Sequence, residues 1–175
     1  MTAKEIAWYL AARHSSPFHA RKHLAVVPNV SWGLLPWEAD LLVLSKTGYL
    51  TEIEIKISMS DWKADLLKKK FKRQHTANSY WPAEQSIKRF WYVAPTEIAM
   101  RWHEIRIETL NPVTGIETVA ELAPGAGIMA INDKGYLDVL RSPANRPGAK
   151  ILKDADQLKL LRLAALKAWN LAYKP

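Results

Sequence analysis

Residues 38–58 of this 175-residue chain read EADLLVLSKTGYLTEIEIKIS. Two strand-like runs flank Lys46-Thr47-Gly48, a tripeptide that fits a three-residue hairpin loop with glycine at the left-handed position. With Ser45 and Tyr49 closing that loop, counting back along both strands sets Asp40 opposite Glu54 and Glu38 opposite Lys56. Side chains alternate faces along a strand, so Glu54 and Lys56 share one side while Ile53, Ile55 and Ile57 take the other. Cβ atoms directly opposite on an antiparallel pair lie roughly 4.5–5.5 Å apart, near enough for two carboxylates to share one cation. A two-residue loop would slip the register by one and send Asp40 to the face away from Glu54. The site rests on one turn.

Those residue types suit phosphodiester chemistry. Hard oxygen donors favour Mg²⁺ or Mn²⁺, held by one or two carboxylates, several waters and a substrate phosphate. A lysine two residues beyond the second carboxylate is placed to orient an attacking water and to stabilise an anionic transition state. Alternating charges and isoleucines over Glu52–Ile57 are also the pattern of any half-exposed strand, with its charges in water. Asp40 argues the other way. It opens the apolar run Leu41–Leu44, where a lone buried carboxylate would be costly without a partner.

Asp40 followed one hairpin later by Glu54-Ile55-Lys56 resembles the PD-(D/E)xK nuclease superfamily. More narrowly, the chain resembles the MmcB-like DNA-repair proteins with a RecB-type nuclease core. The matching segments are Ala39-Asp40-Leu41, Glu54-Ile55-Lys56, Asp61-Trp62-Lys63-Ala64-Asp65 and Phe90–Pro95, then Gly127-Ile128, Gly135-Tyr136 and Leu140–Pro143. They span residues 38–143, with Ala39 standing where the superfamily's name has proline. The resemblance implies a restriction-endonuclease-like α/β fold and metal-dependent cleavage of DNA, in repair or phage DNA metabolism. It implies Asp40 and Glu54 as metal ligands, the Ile55 carbonyl as a further ligand and Lys56 as the water-orienting base. A glutamate in the first helix assists the metal in several relatives of this fold, which makes Glu5 a candidate beside Glu38.

Composition agrees with a polyanionic partner. Net charge is +8, with 25 Lys and Arg against 17 Asp and Glu, and the pI is near 9.7. The cations cluster after Lys56. A helix is expected from Ser58, an N-cap signature, to about Arg73, with Trp62, Leu66, Leu67 and Phe71 on its apolar side. Its Lys63, Lys69, Lys70 and Arg73 are candidate phosphate contacts beside the acidic pair. Tyr80-Trp81, in the polar stretch that follows, would pack inward or stack on a base. Cysteine is absent, excluding disulfides and thiolate metal sites. No apolar run approaches the roughly 20 residues of a membrane span. The opening Met1–Glu5 lacks a signal-peptide layout, and the expected location is cytoplasmic.

The remaining elements follow from pattern. Thr2-Ala3-Lys4-Glu5 is a capping box opening a helix over 2–14, which accounts for Glu5 without function. His19 and His23 have helix-face spacing, but Arg21 and Lys22 oppose a cation there, and surface positions or a phosphate-contacting edge are expected. Leu24–Val30, broken by Pro28, reads as an edge strand. Ile87–Ala94 reads as a crossover strand, followed by a helix near Glu97–Trp102 and a small strand at Arg106–Leu110. Gly127–Ile131 and Tyr136–Leu140 make a hairpin around Asn132–Gly135. A broad apolar helix over 154–172 covers the core or serves a homodimer. Residues 1–175 are thus expected to form one α/β domain, a mixed central sheet flanked by helices. Two functions compete: a Mg²⁺- or Mn²⁺-dependent DNA nuclease, and a catalytically silent DNA-binding module on the same fold. A protein-interaction subunit acting through the last helix is a third.

Overall fold

A computed structural model describes residues 1–31, 34–35, 37–65, 86–110, 117–121, 123 and 125–172. Helix α1 (Ala3–Ala12) precedes strands β1 (Ala25–Val30), β2 (Ala39–Leu44) and β3 (Leu50–Ile55). The short helix α2 (Met59–Ala64) leads to β4 (Ile87–Pro95), α3 (Thr96–Ala99) and strands β5 (Arg106–Leu110) and β6 (Glu117–Glu121). Strands β7 (Gly127–Ile131) and β8 (Leu137–Arg141) and helix α4 (Asp154–Ala172) complete the chain.

The fold is α/β with a six-stranded mixed sheet, ordered β1-β2-β3-β4-β7-β8. β1–β2, β2–β3 and β7–β8 pair antiparallel, whereas β3–β4 and β4–β7 pair parallel. The helix-containing connections supply the crossovers that parallel neighbours require. β1 lies at an edge, where the missing N–H of Pro28 is tolerated. The Asn132–Gly135 turn closes β7 and β8 as expected, with Gly135 at φ +74, and this hairpin forms the opposite edge.

One face of the sheet carries a continuous apolar cluster. Leu41, Val43, Ile53, Ile55, Trp91, Val93, Met129 and Ile131 pack there beneath Ile6 and Leu10 of α1. Burying each of those two helix side chains is worth about 1.5–3 kcal/mol. The other face is covered in two places. Leu42, Leu44, Leu50 and Ile87 meet Leu152 and Leu160 at the α4 end. Phe90, Tyr92, Ala94 and Ile128 meet Trp62 of α2 and Ala99 of α3 further along. α4 seals the core through Leu160 and leaves Leu158, Leu161 and Leu166 exposed. Among the described residues, no helix is long and apolar enough to cross a membrane.

Several boundaries differ from the sequence expectation. The described part of the helix after Ser58 ends at Ala64, with Asp65 as its C-cap. Residues 66–85, including Lys69, Lys70, Arg73, Tyr80 and Trp81, lie outside the described residues. The helix expected over Glu97–Trp102 is instead two short pieces, α3 and a 3₁₀ turn at Trp102–Glu104. β5 joins a separate two-stranded sheet with β6. No sequence pattern had marked β6.

Candidate functional site

The hairpin loop sets the site. The Ser45 N–H donates to the Tyr49 carbonyl at 2.9 Å and the Gly48 N–H to the Ser45 carbonyl at 3.0 Å. The Tyr49 N–H reaches Ser45 Oγ at 3.0 Å. Gly48 sits at φ +81, in the left-handed region that glycine enters without steric cost. The three-residue loop therefore forms, and the ladder runs Leu44↔Leu50 to Leu41↔Ile53. Continued by one residue, that register sets Asp40 opposite Glu54. Here the strands stop pairing through their backbones. The Ile55 N–H donates to Asp40 Oδ2 at 2.8 Å instead. A strand residue directs its N–H and C=O to the same neighbour, so the Ile55 carbonyl also faces β2. The half-buried Asp40 carboxylate and this carbonyl thus lie on the same side of β3, where β2 ends its pairing.

Beyond Ile55, the Lys56 N–H donates to the Val93 carbonyl at 2.9 Å, which keeps Lys56 aligned with β4. Ser58 Oγ then accepts the Asp61 N–H at 3.1 Å and caps α2. That turn brings the chain back over its own strand. Trp62 is buried and lies 5.0 Å from the Tyr92 ring. Asp61 and Asp65, four residues apart, share a helix side. Lys56 Nζ donates to Asp65 Oδ1 at 2.8 Å and to Glu54 Oε2 at 3.4 Å. Asp61 Oδ1 lies 3.9 Å from the same ammonium.

Burial overturns the half-exposed-strand pattern. Glu52 is 0 %, Glu54 1 %, Lys56 1 % and Asp65 0 % exposed. Ionised groups stay inside a protein only when paired and hydrogen-bonded. Glu52 is held by the Trp37 Nε1–H, 3.0 Å from Oε1. The buried phenol of Tyr92 is pushed well above its ordinary pKa, by burial first and then by the charges of Asp65 and Glu54. It stays protonated at neutral pH.

Two further candidates fall elsewhere. Glu5 closes the Thr2 capping box: Thr2 N–H donates to Oε2 at 2.7 Å and the Glu5 N–H to Thr2 Oγ1 at 3.3 Å. The backbone hydrogen bond from Thr2 is the main cause that lowers the Glu5 pKa. α1 packs on the apolar face, away from Glu54, so Glu5 is not part of the cluster. Glu38 is exposed, and the Lys56 ammonium contacts Asp65 and Glu54. Lys63 is exposed on α2, two residues from both Asp61 and Asp65 and so turned away from the helix side that meets Lys56. His19 is buried rather than at the surface, 5.1 Å from the His14 ring. His23 Nε2 lies 2.8 Å from the Pro17 carbonyl.

Asp65 and Glu52 were not singled out by sequence. Asp65 reads as a lone acid offsetting a run of lysines; its spacing from Asp61, with Trp62 between them turned to the core, was the available signal. Among the described residues, no group of three or more His, Asp or Glu side chains is arranged to hold a metal ion. The donors at the splayed hairpin are Asp40, Glu54 and the Ile55 carbonyl. All are hard oxygens, a set that fits Mg²⁺ or Mn²⁺ completed by water.

No protein-family model matches this chain, and no curated protein matches it. Among solved structures it is similar to a Silicibacter pomeroyi protein of unknown function. The TM-score is 0.47 at 17% identity, covering 87% of this chain and 82% of that one.

Proposed function

We propose that this chain is a divalent-metal-dependent nuclease acting on DNA, with a restriction-endonuclease-like arrangement of its mixed sheet. One observation carries the reading: the hairpin register sets Asp40 opposite Glu54, and Lys56 follows on the same face of β3. The carboxylates of Asp40 and Glu54 and the carbonyl of Ile55 would hold Mg²⁺ or Mn²⁺. A bound ion of this kind supplies Lewis-acid polarisation of a phosphoryl oxygen and a water of lowered pKa. Lys56, with three ammonium hydrogens, orients that water and donates to the charge that builds on the phosphate oxygens. The net charge of +8 favours a polyanionic substrate. Lys63, with Lys69, Lys70 and Arg73 further along, supplies phosphate contacts. The resemblance suggests DNA repair or phage DNA metabolism in the cytoplasm as the setting. Exposed Leu158, Leu161 and Leu166 on α4 are the surface a homodimer would use.

The test is cleavage of linear, circular, single-stranded and branched DNA with Mg²⁺ or Mn²⁺, by the wild type and by Glu54→Ala and Lys56→Ala. The nuclease reading requires cutting that EDTA stops and both substitutions abolish. Cutting that survives both places the activity elsewhere or in a contaminant.

A second reading has its own support. The Lys56 ammonium is committed to Asp65 at 2.8 Å in a buried pair, as a lysine tying α2 to the sheet would be. A catalytically silent DNA-binding module then binds DNA in a salt-dependent way, without metal and without need of Lys56.

A further inference from the structure

The nuclease reading assigns no role to Asp65, although it is 0 % exposed and makes the shortest contact to Lys56. Glu54 is asked to do two things. It must offer oxygen to a metal, yet Lys56 Nζ lies 3.4 Å from its Oε2. A free ammonium beside a ligand carboxylate competes with the metal for that oxygen. Asp65 removes the conflict. At 2.8 Å it takes the stronger of the two hydrogen bonds and draws the ammonium towards α2.

The geometry points to Asp65 as the positioning residue for Lys56, and we infer that it holds the ammonium at a fixed place beside the scissile phosphate while leaving Glu54 to the metal. This inference rests on the nuclease reading. α2 is built for the task. Ser58 fixes where the helix starts, buried Trp62 fixes its rotation against Tyr92, and Asp65 at the C-cap then faces Lys56. No part of this chain of contacts involves Asp40. Loss of Asp65 therefore misplaces the lysine without removing a metal donor.

Two variants and two readouts test it. Asp65→Asn removes the charge; Asp65→Glu keeps the charge but pushes the ammonium back by about 1 Å, a shift that alone can cost up to about 10²-fold in rate. Asp65→Glu, which keeps the ion pair, is expected to bind Mn²⁺ with wild-type affinity by calorimetry, whereas Asp65→Asn binds it more weakly because the released ammonium turns to Glu54, and Glu54→Gln loses that binding. Both Asp65 variants are expected to lower kcat by about 10- to 10²-fold at unchanged KM. If Asp65→Asn fails to fold, Asp65→Glu decides, because its ion pair is retained. A folded Asp65→Glu with wild-type kcat overturns the positioning role and leaves the nuclease reading intact. Unfolding of both variants assigns the pair to structure and overturns it as well. No cutting by the wild type removes the nuclease reading and this inference together.

Discussion

From Glu52 to Ile55, the two sides of β3 are equally dry and chemically opposite. Along β3, Ile53 and Ile55 are 0 % and 4 % exposed, while Glu52 and Glu54 on the other side are 0 % and 1 %. On the α1 face, aliphatic side chains fill the space, and burial itself is the stabilising term. On the α2 face the same strand carries charges into an interior of low dielectric, where each needs a partner to remain ionised. A stability-driven sequence gains little from that exchange, since well-packed apolar replacements of a buried ion pair are often neutral or better. The difference marks the place where packing alone does not account for the sequence.

The contrast can be broken most severely at Lys56. Lys56→Ala leaves Glu54 and Asp65 buried without their ammonium, and urea unfolding should show a loss of about 3–5 kcal/mol together with loss of cleavage. A variant as stable as the wild type would mean the α2 face is open to water. On the apolar face, Ile53→Ala should lose about 2–5 kcal/mol. Its cleavage rate per folded molecule should stay at the wild-type value, because Ile53 points away from Glu54. A matching fall in rate would show that the faces are not independent.

The turn that divides the faces comes next. In Gly48→Ala, the new Cβ would lie 2.6 Å from Ile151 Cγ2 at a backbone φ of +81. The left-handed conformation alone disfavours alanine by about 1–2 kcal/mol. Stability and cleavage should fall together, since the register of Asp40 depends on this loop. Cleavage retained in a destabilised Gly48→Ala would show that the loop holds the fold without setting the site. The smallest effect belongs to the cap of α1. Thr2→Ala should lower stability by about 1 kcal/mol and leave cleavage untouched, as should Glu5→Gln. A specific loss of cleavage in Glu5→Gln would return that glutamate to the metal site.

Much of this was legible before the structure because it depends on local chemistry. Lys46-Thr47-Gly48 dictates a loop length, loop length dictates register, and register brings Asp40 across from Glu54. The Thr2–Glu5 cap and the Asn132–Gly135 turn are equally local. What escaped depends on tertiary placement. A strand of alternating charge reads the same whether its polar side meets water or a helix, and only α2 lying over it decides. Asp65 lies in the Asp61–Asp65 segment that carries the resemblance, but its contact is not legible there, because its partner is nine residues back, across a helix start. β6 escaped because its pairing with β5 stands apart from the central sheet, where no hydrophobic alternation is imposed.

The central claim, metal-dependent hydrolysis at the hairpin, meets its most direct test in the Glu54→Gln variant. This change keeps the size of the side chain and removes one charge. Wild type and folded Glu54→Gln would be compared for Mg²⁺-dependent cleavage of the same DNA panel. Cutting by the wild type that stops in the variant and in EDTA is the predicted result. Equal cutting by both proteins, or a wild type that binds DNA and cuts none of the substrates, would contradict it.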